Sequence, residues 1–303
     1  MWRGLRWRTT TAGRAALAAL TLAVLAGCAG NAGASGGPVR VVAAENFWGD
    51  ITAQIGGRHV AVSSIITNPN TDPHTYETSP ANAAAISSAQ LVIENGLGYD
   101  DFVGKILATG ASGSRRVLSV QQVLGLHGAN VNPHVWYDTA ALPKVAAAIA
   151  RQLSQIDPAH RGAYLAGAHR FDRSLHPLLA IIATIRRKYA GAPIAYTERV
   201  PGYLVQAAGL RLATPVSFSL ALEDGTDPSP QDTAAFDAAI TAHRVRVLLY
   251  NAQVVDAQTE RIKQLAARAG VPIVGVSETL PPGQSFQAWQ LHQDHQLLRA
   301  LGG

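Results

Sequence analysis

The chain has 303 residues, 48% of them hydrophobic and 15% charged, enough for two ordinary domains with real cores and too apolar for disorder beyond its start. The formal charge of +5 is concentrated at the N-terminus, where Arg3, Arg6, Arg8 and Arg14 precede any acidic residue; the remainder carries a net charge of about +1. That balance excludes the electrostatic footprint of a nucleic-acid-binding protein.

Residues 1–14 are basic and residues 15–27 form one apolar run, a secretory signal too short for a comfortable transmembrane helix. The run ends in Leu25-Ala26-Gly27-Cys28, and Cys28 is the only cysteine, so it has no partner for an internal disulfide. The order Leu-small-small-Cys resembles the bacterial lipobox, which implies that Cys28 is lipidated and becomes the mature N-terminus. Residues 28–37, rich in Gly, Ala and Ser, then form a flexible tether.

Val39 to Ala44 is a β-branched run and a first strand, followed by a helix to about Ile55 that Gly56-Gly57 stops. Val60 to Ile66 is a second strand. Ser79-Pro80 opens a helix, with Ser79 as N-cap and Pro80 at its first position. Leu91–Glu94 and Arg116–Ser119 are further strands. Strands alternating with helices predict a parallel α/β lobe over residues 38–140. Residues 141–190 read as connecting helices. Leu175, Leu178, Leu179, Ile182 and Ile185 recur at three- and four-residue steps, and one helix from Pro158 to Tyr189 would span roughly 45 Å. A second α/β lobe over residues 191–303 is predicted from strands at Ile194–Thr197, Val245–Leu249 and Val271–Val276, with helices from Pro201 to Leu210 and Gln258 to Ala269. No internal repeat is strong enough to argue duplication.

Two stretches stand out. Asp72-Pro73-His74-Thr75-Tyr76-Glu77 and Asn132-Pro133-His134-Val135-Trp136-Tyr137-Asp138 each put a His after a proline, with an aromatic and a carboxylate close behind. Proline fixes its own φ and biases its predecessor towards extended backbone, so each imidazole starts from a stiff segment. Glu198 and Glu278 likewise follow strands, at the sheet edge where open parallel α/β folds place ligands. Two imidazoles and two carboxylates make a mixed nitrogen and oxygen site suited to Mn²⁺, Zn²⁺ or Fe²⁺, without thiolates that would select a soft metal. Four protein ligands favour binding over catalysis. Trp136, Tyr137 and Asp138 are candidates to orient His134, and Glu77 to orient His74. His127, His160, His169, His176, His292 and His295 read as solvated or loop positions.

These pieces carry a family resemblance. The chain resembles the metal-binding solute-binding proteins of ABC importers, the zinc and manganese receptors, from Val39 to about Leu301. The matching segments are Ala43 to Asp50, Asp72-Pro73-His74, Asn132 to Trp136, and Val276 to Gly283 with Trp289 beyond. The resemblance implies two Rossmann-like lobes with parallel sheets joined by one long connecting helix, and an ion in the cleft between them. It carries the first two ligands onto His74 and His134. The third, His in many zinc-type members and Glu in manganese-type members, falls on Glu198; the fourth, commonly Asp, falls on Glu278. The His-rich loop of zinc-type members has no counterpart, since only His127 lies between the first two ligands.

Glu198 and the missing loop lean towards manganese, whereas Zn²⁺ outcompetes Mn²⁺ at most sites of this kind, so one ion per chain, Mn²⁺ or Zn²⁺, is expected as cargo. The reading is an extracytoplasmic lipoprotein, not an enzyme, that captures a divalent metal and hands it to an ABC permease, with a monomer as the expected state. A secreted metallohydrolase would use Glu198 or Glu278 as general base, but no His-Glu-x-x-His motif is present. A surface adhesin with a structural metal and a receptor for a chelate are two further proteins that could carry the same donor set.

Overall fold

In a computed structural model, described for residues 1–4, 37–68, 76, 79–109, 115–128 and 130–302, Met1–Gly37 form a unit separate from Pro38–Gly303. Residues 5–27 of the predicted signal, Cys28 and most of the tether lie outside the described residues.

Within the second unit the chain runs β1 (Val39–Glu45), α1 (Asn46–Gly56), β2 (Val60–Ile66), α2 (Pro80–Ser88), β3 (Leu91–Glu94), α3 (Asp101–Thr109), β4 (Arg116–Ser119) and α4 (Val120–Leu124). It continues through α5 (Leu142–Ile156), α6 (Arg161–Ser174) and α7 (His176–Tyr189). A second alternating stretch follows: β5 (Pro193–Tyr196), α8 (Gly202–Ala207), β6 (Arg211–Leu212), α9 (Val216–Glu223), α10 (Pro230–Thr241), β7 (Leu248–Asn251), α11 (Ala257–Arg268), β8 (Ile273–Val276) and α12 (Phe286–Ala300).

Each lobe holds one four-stranded parallel sheet. Their orders are β2-β1-β3-β4 and β6-β5-β7-β8, so the two lobes repeat one topology although their sequences show no repeat. The central strand β1 is buried along nearly its whole length, as a run covered by helices on both faces must be, whereas edge strand β2 is only partly buried. In both sheets the chain reverses its direction of travel between the two central strands, β1 and β3 in one lobe and β5 and β7 in the other. Crevices at such points, at the carboxyl ends of the strands, are where parallel α/β folds bind ligands.

The strands of the first lobe and its helices α1 and α2 lie where predicted, and Ser79 accepts a hydrogen bond from the Asn82 amide as the N-cap of α2. In the second lobe, β7 lies three residues beyond the expected start, although Val245 and Val247 are already buried. β8 begins after Pro272, which has no N–H to give a ladder. α3, α4, β6, α9, α10 and α12 were not predicted.

The single connecting helix is a correction. The stretch from Pro158 to Tyr189 is a short 3₁₀ turn followed by two helices, α6 and α7, which meet at Leu175. Pro177 at the start of α7 removes one i→i−4 hydrogen bond, and its ring would collide with the Arg173 carbonyl in an unbroken helix. The apolar periodicity runs through the break because both helices bury one side, α6 with Tyr164, Ala168 and Phe171 and α7 with Leu178, Ile181, Ile182 and Ile185. α6 packs on α1 and α5 of the first lobe, α7 on α12 and α8 of the second. The contact between α6 and α1 is close enough that a Cβ on Gly167 would lie 2.0 Å from the Ile55 carbonyl oxygen.

One hydrophobic core runs through both lobes, from Val39 to Leu301. At its centre Phe47 stacks on Trp136 with ring centroids 4.2 Å apart, and Trp289 lies 6.3 Å from Phe47. Each such buried aromatic contributes roughly 2–3 kcal/mol by area removed from water. Polar bonds add register. Asn46 Nδ2 donates to the Leu280 carbonyl and the Leu280 amide donates back to Asn46 Oδ1. Gln54 and Gln287 exchange amide bonds in the same reciprocal way.

Candidate metal centre

His134 is delivered by the Asn132-Pro133 segment into a fully buried position. Asn132 Nδ2 donates to the Arg199 carbonyl at 2.7 Å, so Asn132 Oδ1 is the atom that faces the imidazole. That oxygen lies 3.1 Å from the His134 amide and 2.6 Å from His134 Nδ1. A carbonyl oxygen only accepts, so Nδ1 carries the proton, and the Nε2 lone pair is turned to Glu278. Asn132 therefore does for His134 what Trp136, Tyr137 and Asp138 were expected to do. Trp136 instead supports the ring edge-on at 5.2 Å, and Tyr137 donates to the Ser277 carbonyl and Gln293.

The turn after β3 supplies the next contact. Gly96, Leu97 and Gly98 all have positive φ, and the strain at Leu97 is held by its amide bond to Gln121 and by the two amides, Asn95 and Gly96, that Asp100 accepts. The turn sends Tyr99 inwards. Its hydroxyl donates to Glu278 Oε2 at 2.9 Å, from one lobe to the other.

Glu198 follows β5 and Glu278 follows β8, and both are buried. Asn251, the last residue of β7, stands between them. Its Nδ2 donates to Glu198 Oε2 and to Glu278 Oε1, each at 2.8 Å. The Gln253 amide donates to Asn251 Oδ1, which fixes the side-chain amide with its NH₂ towards the carboxylates. Gln253 Oε1 in turn accepts from the amides of Glu278 and Thr279.

His134 Nε2 lies 3.3 Å from Glu278 Oε2. With Nδ1 protonated, this sets a nitrogen lone pair against a carboxylate oxygen, and a cation or a proton must complete the pair. Two donors on one tetrahedral ion with bonds of about 2.0–2.1 Å are separated by about 3.3–3.4 Å. The donor chemistry and the spacing therefore both fit a small divalent ion. Among the described residues His134, Glu198 and Glu278 are brought together, two in contact and the third through Asn251; no group of three His, Cys, Asp or Glu side chains within that set by itself holds an ion. His74 and Glu77 lie outside the described residues, and His127 is exposed on its loop.

Behind the site lies a second acidic pair. Glu45, at the end of β1, is fully buried with no donor to either carboxylate oxygen among the described residues, and burial followed by the charge of Asp100 raises its pKa well above the usual range. Two carboxylates bond only if one keeps a proton. Burial also pushes Asp100 up to about 7, against the pull of the two amides it accepts.

Asn132, Tyr99, Asn251 and Gln253 were not singled out from the sequence. Asn251 ends β7 and Tyr99 lies in the turn after β3, both at the carboxyl edge of a sheet, but an amide and a phenol there carry no ligand signal of their own.

Residues 41–300 match the family described as ZnuA, zinc-uptake complex component A, periplasmic. The manganese-binding lipoprotein MntA of Bacillus subtilis is 27% identical over 46% of the chain and 47% of its own length, so the chain spans about half of such a relative. The zinc-binding protein TroA of Treponema pallidum is 25% identical over 68% of each chain. The SBP FpvC of Pseudomonas aeruginosa, solved in complex with Mn²⁺, superposes with a TM-score of 0.74 over 87% of the chain and 98% of its own, at 22% identity, a likeness of fold.

Proposed function

The chain belongs to the ZnuA family of zinc-uptake components, and on that premise we propose that it is an extracytoplasmic receptor for a divalent transition metal, Zn²⁺ or Mn²⁺, that hands its cargo to an ABC permease. The ion is held in the interlobe cleft by His134, Glu198 and Glu278 together with His74, the first two coming from separate loops of the two lobes. One observation carries the reading: the buried His134 Nε2, with its tautomer set by Asn132, faces Glu278 Oε2 at 3.3 Å. The names of relatives such as MntA and TroA support metal as the cargo and leave both ions in view. Lipidation at Cys28 after the signal of residues 1–27, with residues 28–37 as tether, would keep the receptor beside its permease; the lipoprotein names of relatives support that anchor.

In this reading the chain's residues bind and release and perform no bond chemistry. Asn132 presents the imidazole, Asn251 and Tyr99 orient the carboxylates, and the aromatic floor of Phe47, Trp136 and Trp289 excludes water beneath them. Ligands must be deprotonated to hold a cation, so affinity falls as the medium becomes acidic.

The test is elemental analysis of residues 38–303, refolded with limiting Mn²⁺ and Zn²⁺, beside a His74→Ala, His134→Ala double variant. About one ion per chain, lost in the variant, is the expected result. A wild-type chain that remains metal-free refutes the proposal.

A further inference from the structure

We propose that Asn251 sets the metal preference of the site, by restricting Glu278 to coordination through one oxygen. The inference rests on the ligand reading above and adds a role for a residue that is not itself a ligand.

Three contacts divide the two oxygens of Glu278. Oε2 is the oxygen 3.3 Å from His134 Nε2, and it accepts from Tyr99. Oε1 is held at 2.8 Å by Asn251 Nδ2. For Glu278 to bind an ion with both oxygens, Oε1 has to swing towards that ion and leave Asn251. The amide then loses a charge-assisted bond inside a buried site, where an unmade bond is costly.

Asn251 resists that swing because it cannot follow. Its other Nδ2 hydrogen is committed to Glu198 Oε2 at 2.8 Å. Its Oδ1 accepts the Gln253 amide, and its own backbone amide donates to Thr197 Oγ1. Every polar group of its side chain is used, and the residue is only 1% exposed. One side chain thus occupies one oxygen of each proposed carboxylate ligand.

Two single-oxygen carboxylates and two imidazoles make four donors. Four donors suit Zn²⁺, which is satisfied by a tetrahedral set; Mn²⁺ favours more oxygen ligands, which bidentate carboxylates would supply. Zn²⁺ outcompetes Mn²⁺ at most nitrogen and oxygen sites, so a raw preference for zinc decides nothing. The informative quantities are the coordination number and the change in the Zn²⁺ to Mn²⁺ affinity ratio on losing the amide.

The full chain, purified in detergent, is loaded with Co²⁺, whose visible ligand-field bands are intense when four-coordinate and weak when six-coordinate. Zn²⁺ and Mn²⁺ affinities are measured in parallel by chelator competition. Wild type is expected to give the intense spectrum. Asn251→Ala is expected to weaken it and to lower the Zn²⁺ to Mn²⁺ ratio roughly tenfold, the order set by one hydrogen bond to a charged group. Asn251→Ser, which keeps a hydroxyl but cannot span both carboxylates, is a second variant with the same expected result should the alanine chain not fold. Weak six-coordinate bands in wild type, or Asn251 variants with unchanged bands and ratio, overturn the inference while the metal site stands. A wild-type chain that binds none of the three ions overturns the ligand reading and the inference with it.

Discussion

Replacing Asp294 with Asn should stabilise the protein, and by an amount that grows with pH. Asp294 lies on α12, 2% exposed, and burial alone pushes its pKa up to about 8 from an ordinary 3.8. The folded chain therefore keeps this proton up to about pH 8, whereas the unfolded chain releases it above about pH 4. A raised carboxyl favours folding at low pH, and that contribution is lost as pH rises between those two values. Each unit of separation is worth about 1.36 kcal/mol, so the penalty relative to a neutral side chain approaches roughly 4 kcal/mol at pH 7. Asn has the same shape and no charge. In urea titrations with a chelator present, the stability gained by Asp294→Asn should widen by roughly 3 kcal/mol between pH 5 and pH 7.5. A gain that is the same at both pH values, or a loss that grows with pH, would refute the assignment of a buried, uncompensated carboxyl.

The acid pair at the end of β1 supports a second prediction. Glu45→Gln supplies a neutral side chain able to donate to Asp100 without a proton from solvent, so its melting temperature should exceed that of wild type at pH 8 and converge on it near pH 5; a lower value at pH 8 would count against the pair. Gly167→Ala places a methyl 2.0 Å from the Ile55 carbonyl and should cost about 1–3 kcal/mol as α6 is forced off α1. Gly162→Ala, on the same helix with nothing within 4 Å, should instead gain up to about 1 kcal/mol, and equal effects in denaturant melts would sink the packing argument.

The first lobe was legible because its strands are β-branched runs bounded by glycine or a capping serine, and local signals sufficed. Pro177 was visible in the sequence as well, but the 3.6-residue periodicity on either side of it masked the break. α10 was equally readable: Ser229-Pro230 opens it as Ser79-Pro80 opens α2, with Ser229 accepting the Asp232 amide. β6, only two residues long, carries too little pattern to find. At the candidate site, Glu198 and Glu278 drew attention because carboxylates after strands suggest ligand chemistry. Asn251 and Tyr99 could not, because an amide or a phenol shows no role until tertiary folding sets it against a partner such as Glu278, 27 and 179 positions away.

The reciprocal bonds between Asn46 and Leu280 join residues 234 positions apart, and the first helix buries Phe47 against Trp289 of the last. Such long-range closure makes folding slow and late. α1 packs on β2, α5 and α6 of its own lobe, and only the face that carries Phe47 waits for α12. The C-terminus therefore closes the molecule: trimming α12 would uncover the Phe47 face of α1 and strip α7 of the helix it packs on.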